Sequence, residues 1–86
     1  MTFNQLRYVV EAAKIGSISK AARLLFLTQS NLSSTILSLE KELGIKLFLR
    51  TQDGIRLTDQ GEMFMVHARS ILNSYDELIQ LSKSIS

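Results

Sequence analysis

Two short helical patterns meet at a turn between Ser19 and Leu43, an Asp53-Gly54 hairpin signal follows, and a long amphipathic run closes the chain. Together they predict a mostly α-helical fold: a winged helix-turn-helix, with a three-helix core and a two-stranded wing, followed by a long C-terminal linker helix. The expected organisation is one winged unit over residues 1–58 and a linker or dimerisation helix over 59–86.

The first helix is expected from about Phe3 to Lys14. Phe3, Leu6, Val9, Val10 and Ala13 recur at the three- and four-residue spacing of one helical face. Thr2 suits the N-cap, and Gly16 suits the stop, because glycine takes the left-handed conformation at little cost. Arg7, Glu11 and Lys14 mark the polar face, with Arg7 and Glu11 one turn apart. The second helix is expected from Ile18 to Leu25, capped by Ser17 or Ser19; the pattern does not choose between them. Ala21 and Ala22 are small enough to let a neighbouring helix cross closely, and they also favour helix by propensity alone. Leu24, Leu25 and Leu27 are expected to anchor its end and the turn.

The third helix is expected to start at its cap Thr28 and run to about Leu43, ended by Gly44. Leu32, Ile36, Leu39 and Leu43 form one apolar stripe. The opposite face carries Ser30, Ser33, Ser34 and Leu37, with Gln29 and Asn31 in the first turn. Serine has no advantage inside a helix, so three on one face suggest close approach to another surface; an ordinary solvated face is the alternative. Leu47-Phe48-Leu49 reads as extended, and Ile55 and Leu57 alternate around Arg56 across the Asp53-Gly54 turn. A lone two-stranded ribbon is marginal, so Leu47, Phe48 and Leu57 must pack onto the helices.

The last helix is expected from Thr58-Asp59 to about Lys83, with Thr58 as N-cap and Asp59 and Glu62 favouring the positive helix start. About 25 residues at 1.5 Å each span ~37 Å, more than so small a domain can cover. The stripe Phe64, Ala68, Ile71, Leu72, Tyr75, Leu78 and Ile79 nevertheless continues. It calls for a partner, most simply the same helix of a second copy. The alternative is a frayed linker from Tyr75 onward.

Composition narrows the function. Eighty-six residues fit one small domain, which buries only ~60–65% of its unfolded surface. A hydrophobic content of 45% is rich for such a monomer: either the core is well filled or some apolar surface serves a partner. No apolar run approaches the ~18 residues of a membrane span, and the first residues lack the pattern of a signal peptide. A cytoplasmic, nucleoid-associated location without a membrane partner is expected. The chain has no Cys and one His, which argues against disulfides and a zinc site. No cofactor and no metal are expected. His67 has no acid or nucleophile at a facing distance, and Gly16, Gly44, Gly54 and Gly61 are isolated punctuation rather than a phosphate loop. An enzyme is not expected.

DNA binding explains the parts together. Net charge is only +2, a mild bias, but Lys46, Arg50 and Arg56 cluster in the wing around the single acidic Asp53. A helix such as the third fits the major groove, with side chains near its N-terminus at base edges. Gln29 is the best reader, since its amide both donates to and accepts from an adenine edge. Ser33, one turn on, can bond a base or phosphate. The helix start at Thr28 suits a phosphate. Leu37 could touch a thymine methyl or sugar, or cover part of a neighbouring surface. Arg50 and Arg56 are placed to meet phosphate or enter the minor groove. The expected DNA-binding set is therefore Thr28, Gln29, Ser30, Asn31, Ser33, Ser34, Leu37, Arg50 and Arg56.

These residues in this order resemble the N-terminal domain of the LysR-type transcriptional regulators. The resemblance is carried by Gly16-Ser17-Ile18-Ser19, Ala21-Ala22, Leu25, Gln29-Ser30, Leu32-Ser33, Ile36 and Leu39-Glu40. It continues through Leu43-Gly44, Leu47-Phe48, Arg50, Leu57-Thr58 and Gly61, and covers the chain from Phe3 to about Leu81. It implies a bacterial transcription factor bound to promoter or operator DNA, with the linker helix pairing two DNA-binding domains into a homodimer. Full-length members commonly form tetramers and carry a C-terminal domain, absent here, that binds a small-molecule effector. By position, Gln29, Ser30 and Ser33 match the family's reading face, Arg50 its wing arginine, and Leu39, Gly44 and Phe48 framework positions.

The departures are informative. In the family the position of Ser34 is often Arg or Lys, and that of Leu37 often polar or basic. Here no positive charge lies between Arg23 and Lys41, so Lys46, Arg50 and Arg56 are expected to supply more of the electrostatic grip. A dimeric interaction module without DNA, and another regulator class sharing the fold, such as an antitoxin, are the competing readings.

Overall fold

A computed structural model describes residues 1–85; Ser86, the last residue of the expected linker segment, lies outside the described residues. The chain runs through α1 (Phe3–Ile15), α2 (Ile18–Leu24), α3 (Gln29–Leu43), β1 (Phe48–Thr51), β2 (Gly54–Leu57) and α4 (Asp59–Ile85). This is the expected winged helix-turn-helix with a long terminal helix.

Local cap chemistry sets most boundaries. Thr2 Oγ1 accepts from Gln5 N–H while the Gln5 side chain accepts from Thr2 N–H, a reciprocal capping box. Ser17, rather than Ser19, caps α2 through a bond from Lys20 N–H. Thr28 Oγ1 takes the Asn31 N–H and caps α3. Gly16 and Gly44 end α1 and α3 in the left-handed conformation. Thr58 Oγ1 accepts from Gly61 N–H at the start of α4 and donates to the Lys46 carbonyl, tying that start to the entry of the wing.

The end of α2 departs from expectation. Leu24 was expected to anchor the turn, but it is 64% exposed. The helix buries Ala21 and Ala22 instead, and Leu24 follows on the outward side. Leu25 and Leu27 do pack against the core. Between them Phe26 adopts φ +59° and is 96% exposed. Leu27 N–H donates to the Ala22 carbonyl at 2.8 Å and Phe26 N–H to the Arg23 carbonyl at 3.3 Å. This is a Schellman ending with phenylalanine at the position where glycine is usual.

The core forms where α1, α2, α3 and the first half of α4 meet. Leu6, Val9 and Ala12 of α1 face Ala21 and Ala22, then Leu32, Ile36 and Leu39 of α3, and Met65 and Ala68 of α4. Leu47 and Phe48 are buried, and Leu57 packs against the same cluster. The wing thus rests on the helices, as a lone ribbon must. Its strands are antiparallel, with Phe48 opposite Leu57 and Thr51 opposite Gly54.

Two glycines are required by close approach. A Cβ on Gly54, at φ +138°, would lie 2.1 Å from the Gly16 carbonyl oxygen. Next to it, Ile55 N–H donates to that same oxygen at 3.0 Å, hanging the wing on the turn between α1 and α2. A Cβ on Gly61 would lie 2.2 Å from the Leu47 carbonyl oxygen, where α4 crosses the approach to the wing.

The long helix has two apolar sides rather than one stripe. Ala68 is only 2% exposed, and Leu72 packs against the same core. Ala68 therefore belongs to its own protomer and not to a surface open to a partner. Tyr75 is also engaged within the protomer: its ring lies 4.6 Å from that of Phe3, and the Arg7 guanidinium sits over both. Phe3 is correspondingly at the margin of the core rather than within it. The molecule measures 47 × 26 × 21 Å, its length set by α4 running past the core.

Candidate nucleic-acid interface

The turn after α2 and the cap at Thr28 fix where α3 begins. Burial of Leu32, Ile36 and Leu39 on one side leaves Ser30, Ser34 and Leu37 exposed on the other, with Ser33 half-buried beside them. Gln29 is exposed at the first position of the helix. Leu37, 57% exposed, sits along the same outward side. Asn31 lies about 100° round the helix from Ser30, away from that side. Thr28 is exposed, with its hydroxyl committed to the cap; the amides of Gln29 and Ser30 have no carbonyl partner within the helix.

The wing stands against this face. Arg50 Nη2 donates to Ser33 Oγ at 3.3 Å. The bond joins the wing arginine directly to the recognition helix. It also constrains the chemistry of Ser33: with the oxygen accepting from Arg50, the hydroxyl hydrogen is free to donate to a base acceptor. Leu37, Glu40, Lys46, Leu49 and Arg50 line an open groove between α3 and the wing. Lys46 and Arg50 place two cations beside α3, whose own outward side carries a cation only at its far end, Lys41.

Arg56 does not share this location. In the register Arg50 opposes Ile55 and Arg56 opposes Leu49. Alternation along a strand then puts the two arginines on opposite faces of the ribbon. They act on separate surfaces.

Glu40 is the residue that sequence reasoning left without a role. Its Oε2 accepts from Leu47 N–H at 2.6 Å and from Phe48 N–H at 3.2 Å. A carboxylate beside an expected DNA surface is thereby spent on the backbone entering the wing. The signal was its place on the last turns of α3, shortly before a strand whose first amides needed acceptors.

A recognition helix with a small polar face, a wing bonded to it and a long terminal helix match known proteins in the same order. The family described as "Bacterial regulatory helix-turn-helix protein, lysR family" matches residues 3–62. The chain belongs to the LysR family. Among the relatives of this LysR-family domain, the nitrogen assimilation regulatory protein nac of Escherichia coli is 39% identical over 77 residues, covering 90% of this chain and 25% of that protein. The transcriptional regulator ClcR of Pseudomonas putida is 42% identical over 73 residues, covering 85% and 25%. In three dimensions, a BenM DNA-binding domain in complex with benA site 1 DNA superposes with a TM-score of 0.91 at 35% identity, covering 99% of this chain and 96% of that one. A CbnR DNA-binding domain in complex with DNA gives 0.87 at 33% identity, covering 99% and 98%. The LysR-family chain spans about a quarter of the length of the curated relatives it matches. The domains it matches are DNA-binding regulatory ones. Among the described residues no helix is long and apolar enough to cross a membrane.

Proposed function

We propose that the chain is the sequence-specific DNA-reading part of a transcription factor, with α3 in the major groove of promoter or operator DNA and the wing on the backbone or minor groove. The observation that carries this reading is the continuous surface made by the outward side of α3 and the wing, tied by the Arg50–Ser33 bond. Gln29 and Ser33 are its base readers, with Ser30 and Ser34 allowing close approach and Leu37 meeting a thymine methyl or sugar. Thr28 and Asn31 shape and flank the start of the helix. The likeness to two domains solved with DNA supports the docking mode.

Two copies pair through α4 and read two half-sites. Support comes from the side of α4 turned away from the core. There Ile71, Leu78 and Ile85 recur at every seventh residue, the spacing of a two-helix seam, while Phe64, one repeat earlier, packs against the protomer's own core. Ile71, Leu78 and Ile85 are exposed. Ile79 and Leu72 lie toward the protomer's own side and flank the seam. One such module buries only ~600–1,000 Å² on DNA, so a pair supplies both affinity and spacing. Tetramer formation and response to a small-molecule effector belong to the remainder of a full-length protein.

Fluorescence anisotropy with a duplex selected by the chain from random-sequence DNA tests the reading. Retention at low salt, with Gln29→Ala relaxing base preference at one position, is expected. Arg50→Ala and Arg56→Ala should each flatten the log–log salt dependence by about 0.9 per lost phosphate contact. Unchanged slopes in both variants would remove the wing from the grip. No retention at low salt by a chain that still dimerises would favour an interaction module without DNA.

A further inference from the structure

The second half of α4 leaves the core beside an aromatic contact. Leu72 still packs against the core, and every described residue from Asn73 onward is exposed. At 1.5 Å per residue, roughly 20 Å of helix projects past the domain. One turn after Leu72, Tyr75 meets two side chains of α1. Its ring centroid lies 4.6 Å from that of Phe3, with the planes tilted by 44°. The Arg7 guanidinium sits 5.4 Å from the Phe3 centroid and 5.8 Å from that of Tyr75. A planar cation shared between two rings allows a narrower choice of geometry than an aliphatic contact. Phe3 and Tyr75 remain 37% and 40% exposed. Stacking at so open a site adds little to stability; what it fixes is the direction in which α4 leaves α1.

We propose that Phe3, Arg7 and Tyr75 form a clasp that sets the separation of the two half-sites read by a pair of chains. The inference rests on the DNA-binding and pairing readings above, and goes beyond them by naming positioning residues for the spacing. The pairing residues Ile71 and Leu78 lie one turn before and one turn after Tyr75. The clasp therefore stands where paired helices join their reading heads. Gly61, Met65 and Ala68 anchor the first half of α4 in the core. The clasp holds the half that carries the seam, where the core no longer opposes a bend. A small tilt there is magnified. Carried across a molecule 26 Å wide, a rotation of ~10° moves the far side by ~4–5 Å, more than the rise of about 3.4 Å per base pair. Each base-pair step also turns the groove by about a tenth of a helical turn. A head displaced by one step thus meets a different face of the duplex.

The test uses the 86-residue chain and duplexes carrying two copies of its selected half-site, their separation changed one base pair at a time. A duplex with one half-site is the control. The wild-type chain should favour one separation and lose about tenfold in affinity one base pair to either side. Phe3→Ala and Tyr75→Ala should each reduce that loss to about threefold or less, or shift the favoured separation. Binding to the single half-site and concentration-dependent mass should not change. Tyr75→Phe keeps both rings beside Arg7 and should retain the wild-type profile. Phe3→Ala lies on α1, so it reports on the clasp even where Tyr75→Ala disturbs pairing. The chain has no cysteine, so a nitroxide on Ser34→Cys marks each recognition helix once. Without DNA, the distance distribution between the two labels should broaden with Phe3→Ala and not with Tyr75→Phe. An unchanged separation profile with unchanged label distances in Phe3→Ala would overturn the proposal. Equal losses at every separation and at the single half-site would overturn it too, leaving the stack a purely stabilising role. A wild-type chain that binds DNA with no preferred separation would instead fail the paired reading, and the clasp's role with it.

Discussion

Phe26 occupies a conformation that its side chain does nothing to favour. At φ +59° a residue with a Cβ carries about 1–2 kcal/mol of steric cost, and with 96% of its surface exposed no packing offsets it. Phe26→Gly should therefore stabilise the chain, by about 1 kcal/mol after glycine's extra unfolded-state freedom is deducted. In a domain of this size that is a rise of roughly 4–8 °C in melting temperature. Phe26→Ala keeps the strain and should leave the melt nearly unchanged. A thermal melt in which both variants behave alike would reject the strain account. The same residue shows where sequence reading stops. Thr2, Thr28, Gly16 and Gly44 were legible because cap chemistry acts over three or four residues. A Schellman ending without glycine carries no such local mark, and Leu24 was misplaced for the same reason.

The wing owes its position to contacts far apart in sequence. Glu40 accepts both amides that enter β1, and Glu40→Ala would leave Leu47 and Phe48 N–H unpaired in a partly buried place. A cost of about 2 kcal/mol is expected, with Glu40→Gln costing less because one carbonyl oxygen remains. Faster amide exchange at Leu47 and Phe48 in Glu40→Ala, relative to the helices, is the local readout; uniform exchange would argue against the anchor. Gly61 presents a harder constraint. A methyl group there would meet the Leu47 carbonyl at far less than contact distance, and Gly61→Ala should cost about 3 kcal/mol or more, seen as a large fall in melting temperature. The elements themselves followed from periodicity and the Asp53-Gly54 turn. Their docking did not, because it depends on a carboxylate and a carbonyl brought together only by the fold. The same gap separated Arg50 from Arg56: strand register, not charge, decides that they face apart.

At the scale of the molecule, α4 divides its apolar residues between two tasks, and periodicity alone merged them. A stripe read at three- and four-residue spacing included Ala68, Leu72 and Tyr75, which serve the protomer's own core and the Phe3–Arg7 stack. Their removal leaves Phe64, Ile71, Leu78 and Ile79 of that stripe; Phe64 packs at the edge of the core, and Ile85, 76% exposed, continues the seven-residue spacing of Ile71 and Leu78. Strict sevenfold spacing drifts slowly around a straight helix and suits two helices wound gently together. The division makes a sharp prediction. Ile71→Glu combined with Leu78→Glu should abolish concentration-dependent mass in sedimentation. Melting of the dilute chain should hardly change, since both side chains are exposed in the protomer. Leu72→Glu should do the reverse, unfolding the domain by placing a charge against its core. DNA affinity of the double variant should fall well beyond the loss of any single contact, because two half-sites would no longer be bound as one event. A wild-type chain that sediments as a monomer at every concentration would remove the seam. Wild-type pairing that survives in the double variant would move it to another face of the molecule.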